Sequence, residues 1–159
     1  MELNLTSGVM YHQRFMMQAL HEAELAYQKD EVPVGAVIVK DGVIIGRGHN
    51  LVETLKDPTA HAEIIAISSA CNTLQEKYLS GCTIYVTLEP CVMCSGALVW
   101  SKIARIVFGA MDEKSGGCGS VFSIPHSRSL NHNIEVIQGV LEYDCAEILK
   151  RFFKKKRYK

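Results

Sequence analysis

Residues 35–48 read GAVIVKDGVIIGRG, two β-branched runs on either side of Asp41-Gly42. A two-residue Asp-Gly step between such runs signals a hairpin, because a type I′ turn needs positive φ at both central positions. This predicts strands over 35–40 and 43–48, paired antiparallel. A purely parallel sheet is thereby excluded, since only antiparallel neighbours can be joined by so short a connection.

Working outward, helices and strands alternate. Upstream, residues 9–28 are rich in Met, Ala, Leu, Gln and Glu, good helix formers. Phe15, Ala19, Ala23 and Tyr27 share one face of that helix, as do Met16 and Leu20. Pro33 then bars further helix. Downstream of Asp57-Pro58-Thr59, with Thr59 as the expected cap, AHAEIIAISSA predicts a helix running to about residue 72. TIYVTL (83–88) is a third strand, CVMCSGALVW (91–100) a helix opening after Pro90, and RIVFG (105–109) a fourth strand. The segment 110–133, rich in Gly and Ser, reads as a long connection, and such connections often carry function. IEVIQGV (134–140) is a fifth strand, and 142–155 a final helix. Strands alternating with helices predict a layered α/β domain with a mixed sheet.

The 159 residues, 48% apolar and 21% charged, suit one globular domain with a full core. No apolar stretch is long enough to span a membrane. The opening MELNLTSGVMYHQ lacks a basic region followed by an apolar run, so the expected location is the cytoplasm. Cysteines stand at 71, 82, 91, 94, 118 and 145, and only Cys91 and Cys94 are close in sequence. In a reducing compartment that pattern favours burial or metal binding over disulfides. Net charge is zero but uneven: residues 1–149 carry −7, while 150–159 carry +7. A basic end on an acidic body fits an anionic partner such as nucleic acid, and fits equally a solvated tail.

His61-Ala62-Glu63 and Pro90-Cys91-Val92-Met93-Cys94 carry the chemistry. A catalytic zinc takes three protein ligands, imidazole and thiolate among them, and leaves one position for water. Two cysteines separated by two residues at a helix start can face one ion, and the positive helix terminus favours thiolates. Glu63, two residues from His61, can border the same site as a proton acceptor and donor. Taken singly, each residue has a plain reading. His61 is then a hydrogen-bonded core histidine and Glu63 a solvated helix residue. Cys91 and Cys94 are core thiols, a redox pair, or half of a closed structural zinc site. In this order and on these elements they form the H-x-E…P-C-x-x-C signature of zinc nucleobase deaminases.

Further stretches carry a closer likeness: EVPVGAV (31–37), GHN (48–50), DPTAHAE (57–63), TIYVTLEPCVMCSGA (83–97), RIVFGAMDEKSGGCGS (105–120), LNH (130–132) and CAEILKRFF (145–153). On these the chain resembles the bacterial tRNA-specific adenosine deaminases of the cytidine-deaminase-like superfamily. The resemblance implies a three-layer α/β/α fold with a five-stranded mixed sheet, and a homodimer. It also implies conversion of adenosine to inosine at the wobble position of the tRNA anticodon loop. By resemblance His61, Cys91 and Cys94 hold one Zn2+ per subunit and Glu63 shuttles protons. Asn50 hydrogen-bonds the inserted nucleoside, Val34 forms an apolar wall of the base pocket, and Asp112 lies near the substrate ribose or backbone. Apart from the resemblance, Asn50 reads as a turn residue, Val34 as core and Asp112 as a loop acid. Phe152 and Phe153 either stack on loop bases or pin the last helix to the core, the latter for at least one of them.

Two other readings compete. A deaminase of a free base or nucleotide (guanine, cytosine or deoxycytidylate) uses the same zinc chemistry, and the basic end and FGAMDEKSG favour tRNA over it. A non-catalytic zinc or nucleic-acid-binding module needs a fourth protein ligand, such as Cys118 or Cys145.

Overall fold

The computed structural model describes residues 2–130 and 132–158; Asn131 of the LNH stretch and Lys159 of the basic end lie outside the described residues. Five strands, β1 (Gly35–Lys40), β2 (Val43–His49), β3 (Thr83–Leu88), β4 (Arg105–Ala110) and β5 (Glu135–Ile137), form one sheet in the order β2-β1-β3-β4-β5. β1 runs antiparallel to β2 and β3, whereas β3, β4 and β5 are mutually parallel. The mixed five-stranded sheet expected from the hairpin is therefore present.

Helices cover both faces: α1 (Glu2–Gln28) and α5 (Glu142–Arg157) on one, α3 (Ala62–Leu74) and α4 (Val92–Trp100) on the other. The two-residue period of the strands divides the core accordingly. Ala36, Ile38, Ile84, Val86, Ile106 and Phe108 point toward α3 and α4. Val37, Val39, Tyr85 and Val107 pack against Phe15, Met16 and Ala19 of α1 and Cys145 of α5. Strands buried on both sides carry apolar residues at nearly every position, which is why GAVIVK and TIYVTL show little alternation.

Several boundaries differ from expectation. α1 begins at Glu2 rather than residue 9. Thr59 does not cap α3; its amide and hydroxyl both donate to Asp57 Oδ1, at 2.8 and 2.7 Å, and His61 takes the cap position. β5 ends at Ile137 because Gly139 and Leu141 enter the left-handed region, φ 82° and 52°, and turn the chain away into α5. A one-turn helix, α2 (Val52–Leu55), lies in a stretch to which the sequence reading assigns no element, and a 3₁₀ turn at Ile124–His126 lies within the connection expected at 110–133. The basic end is helical through Arg157.

Candidate active site

α3 and α4 start on the same side of the molecule, beside the carboxyl ends of β3 and β4, where open α/β sheets form crevices. His61 and Cys91 occupy the two cap positions in extended conformation, φ/ψ −74°/155° and −71°/177°, and neither side chain caps its own helix. Both are thus turned outward, toward each other. His61 Nδ1 lies 3.7 Å from Cys91 Sγ and 3.5 Å from Cys94 Sγ. The three ligand atoms fall within 4.8 Å of one another, and no other trio of His, Cys, Asp or Glu among the described residues does so. A tetrahedral zinc with ordinary Zn–N and Zn–S bonds sets N···S at about 3.6 Å, so this donor set fits that ion. Cys118 and Cys145 stay outside the cluster: Cys118 meets Ser95 Oγ at 3.3 Å, and Cys145 packs under the sheet with Phe15 and Met16.

Cys91 and Cys94 shift one another in opposite directions. A hydrogen bond from Cys94, and a further one with His61, hold Cys91 well below the ordinary thiol range, at about 4. The same contact, with burial, pushes Cys94 upward. His61 is raised by its bond to Cys91. One thiolate therefore forms readily, and a cation seated between the sulfurs would displace the second proton. Glu63, in the first turn of α3 and only 4% exposed, is pushed up to about 6 by burial, against its own backbone amide and His61, which pull it down. A carboxyl titrating near neutrality can both accept and release a proton at working pH.

His61, Glu63 and Cys91 open onto a cavity of about 850 Å³ that Val34, Asn50, Leu88 and Asp112 also line. Of the residues singled out from the sequence, Val34, Asn50, His61, Glu63, Cys91 and Asp112 line this one space, and Cys94 lies buried behind His61 and Cys91. Asn50 serves the turn as well: Nδ2 donates to Val32 O at 3.2 Å, and Oδ1 accepts the Val52 amide at 3.1 Å. One amide hydrogen is left over for a ligand. Val34 is buried in the core cluster and still reaches the cavity. Asp112 accepts the Lys114 and Ser115 amides, each at 3.1 Å, and the Ser115 hydroxyl at 2.7 Å, capping the turn that forms one wall.

At the mouth, Phe152 is buried against Tyr27, rings edge-on at 6.0 Å, whereas Phe153 is 46% exposed and borders the cavity with Lys156. The basic end is tied down in part. Arg151 pairs with Glu24 at 2.8 Å and Lys156 with Asp30 at 2.5 Å, while Arg151 also lies over the Tyr27 ring at 4.6 Å.

Two buried acids that line the cavity escaped the sequence reading. Glu31 accepts the Glu53 and Thr54 amides at 3.1 and 2.5 Å and the Thr54 hydroxyl at 2.8 Å, fixing α2 at the cavity edge. Glu89, beside the ligand turn, organises residues 112–120. Glu31 opens EVPVGAV and Glu89 lies within TLEPCVMC; for Glu89 an acid set in an apolar run was the available signal, whereas Glu31 follows Lys29 and Asp30 and looks like part of a charged turn.

Comparison with known proteins accords with this geometry. The profile of the MafB19-like deaminase family matches residues 10–157. The tRNA-specific adenosine deaminase of Aquifex aeolicus (strain VF5) is 55% identical over 143 residues, 90% of this chain and 94% of that protein. Its counterpart in Bacillus subtilis (strain 168) is 47% identical, over 91% of this chain and 90% of that protein. A solved structure from work on A-to-I editing by tRNA:A34 deaminases superposes with a TM-score of 0.83 at 44% identity, covering 86% of this chain and 99% of that one. A guanine deaminase from Nitrosomonas europaea superposes with a TM-score of 0.74 at 27% identity, covering 88% and 83%.

Proposed function

Because the chain belongs to the MafB19-like deaminase family, and within it to the tRNA-specific adenosine deaminases, we propose that it hydrolyses adenosine to inosine at the wobble position of the tRNA anticodon. The observation that carries the chemistry is the buried Glu63 carboxyl sharing one cavity with the His61, Cys91 and Cys94 ligand atoms. Residues 1–159 act as one catalytic domain, in the cytoplasm. Among the described residues, no helix is long and apolar enough to cross a membrane.

His61, Cys91 and Cys94 would hold one Zn2+. When bound, zinc supplies the acidity that makes water a nucleophile near neutral pH. The target adenosine is splayed from its single-stranded loop into the cavity, a step that requires little unpairing. Val34 packs on the base and Asn50 offers its remaining amide hydrogen to the nucleoside, while Asp112 stands near the ribose and backbone. Glu63 accepts the proton of the attacking water and passes it to the adjacent ring nitrogen, then takes the proton of the new hydroxyl and gives it to the departing amine as the carbon–nitrogen bond breaks. Adenosine and water are thereby converted to inosine and ammonia. The basic face of α5 and Phe153 at the mouth engage phosphates and loop bases. The working unit is a homodimer; α4 leaves Met93 and the 81% exposed Trp100 seven residues apart on one apolar face, the sort of surface a partner covers.

Glu63→Ala incubated with an anticodon stem-loop should retain zinc and lose about 10²–10⁴-fold in rate. Sequencing reads inosine as guanosine, and conversion at the wild-type rate would remove Glu63 from the reaction. The likeness to the Nitrosomonas europaea guanine deaminase keeps a free-base substrate as the second reading. Ammonia release from guanine or cytosine exceeding that from the stem-loop would select it.

A further inference from the structure

Glu89 is 2% exposed and precedes the ligand turn Pro90-Cys91. The groups around its carboxylate are all donors from one later segment. Oε1 accepts the Asp112 amide at 3.2 Å and the Ser120 hydroxyl, and Oε2 accepts the Cys118 and Ser120 amides, each at 3.1 Å. Residues 112–120 are thus wrapped around a single side chain. The wrapped segment also ties to the ligand turn: the Gly117 amide donates to Pro90 O at 2.7 Å, and Gly116 bridges Cys91. A side chain at 116 would run into the Glu89 carboxyl group, so that position accepts only glycine. Asp112, whose amide Glu89 holds, presents its capped turn to the cavity with Ser115.

We infer that Glu89 is a positioning residue. Its carboxylate sets the height of the Asp112 wall above the metal-ligand turn, and so governs affinity for the RNA substrate rather than the rate of proton transfer at Glu63. The inference deepens the deaminase reading and rests on it. A carboxamide in place of the carboxylate turns one acceptor into a donor facing N–H groups, which loosens the wall while leaving His61, Cys91, Cys94 and Glu63 intact.

Glu89→Gln should keep its zinc, raise KM for an anticodon stem-loop about tenfold, and leave kcat within about threefold. On an Asp112→Asn background the same substitution should raise KM less than about threefold, because the contribution of Asp112 is already gone. A purely structural role for Glu89 would lower the melting temperature with KM unchanged, and a lowered kcat at constant KM or additive effects in the cycle would likewise overturn the inference. Ser120→Ala removes one donor and spares the carboxylate. It should raise KM about threefold, and serves where Glu89→Gln does not fold. Amide exchange at Asp112, Cys118 and Ser120, measured without RNA, should accelerate at least about tenfold in Glu89→Gln, and unchanged exchange overturns the tie itself. An inactive wild type with accelerated exchange in the variant would instead overturn the deaminase reading.

Discussion

Glu31, Glu63 and Glu89 are buried acids around one cavity, and their surroundings give them different tasks. Glu31 and Glu89 are surrounded by donors and hold loops, whereas Glu63 is raised by burial toward neutrality and is suited to proton transfer. A carboxyl encircled by N–H groups is a structural anchor; one left facing a cavity is available for chemistry. On the opposite face of the sheet, His12 Nδ1 meets the hydroxyl of the fully buried Tyr85 at 2.9 Å. Burial first, and then Arg105, lowers His12 from its ordinary 6.5. A depressed folded-state value means that this contribution is complete above the unfolded value and is lost as pH falls through the folded one. Burial thus favours the neutral imidazole as the partner of the Tyr85 hydroxyl. Wild type should therefore lose urea stability relative to His12→Gln between about pH 7.5 and about pH 5, and a difference independent of pH would contradict this.

At the scale of elements, the cavity depends on how closely α3 lies on β2. A Cβ at Gly48 would intrude on Ala62 O and Ala66 N, and one at Gly46 on Ala66 O and Ala70 N, so the helix backbone sits directly on the strand. Gly48→Ala should cost about 1–3 kcal/mol by overpacking. Because α3 carries His61 and Glu63, zinc affinity should fall with stability, which metal titration and a thermal melt would reveal together. Unchanged zinc affinity would mean that α3 shifts without moving its first turn. In α5 the basic run is only partly free, which the charge pattern could not show. Arg151 and Lys156 are paired and Lys155 lies over Tyr27, while Lys154 and Arg157 make no ion pair among the described residues. Deleting 154–159 should weaken stem-loop binding and reduce the log–log salt slope by about 0.7 for each phosphate that is no longer neutralised. Equal affinity and slope would mark the segment as a solubilising end.

Across the whole molecule, the metal trio draws on two helices separated by a strand, so an ion bound there cross-links parts of the fold that are distant in sequence. Zinc at about a hundred times its dissociation constant stabilises the folded state by about 2.7 kcal/mol, which for a chain of this size is about 5–10 °C of melting temperature. Chelation should lower the melt by that amount and zinc should restore it. A melt indifferent to chelator would place no ion between His61, Cys91 and Cys94.

The hairpin at 35–48, the strands at 83–88 and 105–109 and the H-x-E and P-C-x-x-C pair could be read without coordinates, because turn chemistry, β-branched runs and ligand spacing are local properties of the chain. Those features alone determined a mixed α/β sheet and a chemistry of one imidazole, two thiolates and a carboxyl. Tertiary structure decided which of the remaining residues share the cavity. It placed both Phe152 and Phe153 beside the cavity, the first buried against Tyr27 and the second exposed, recruited Asn50 to a turn as well as a wall, and wrapped residues 112–120 around Glu89. Each of these rests on a meeting of residues whose separation in the chain carries no periodic signal, so only packing and the satisfaction of buried polar groups could settle it.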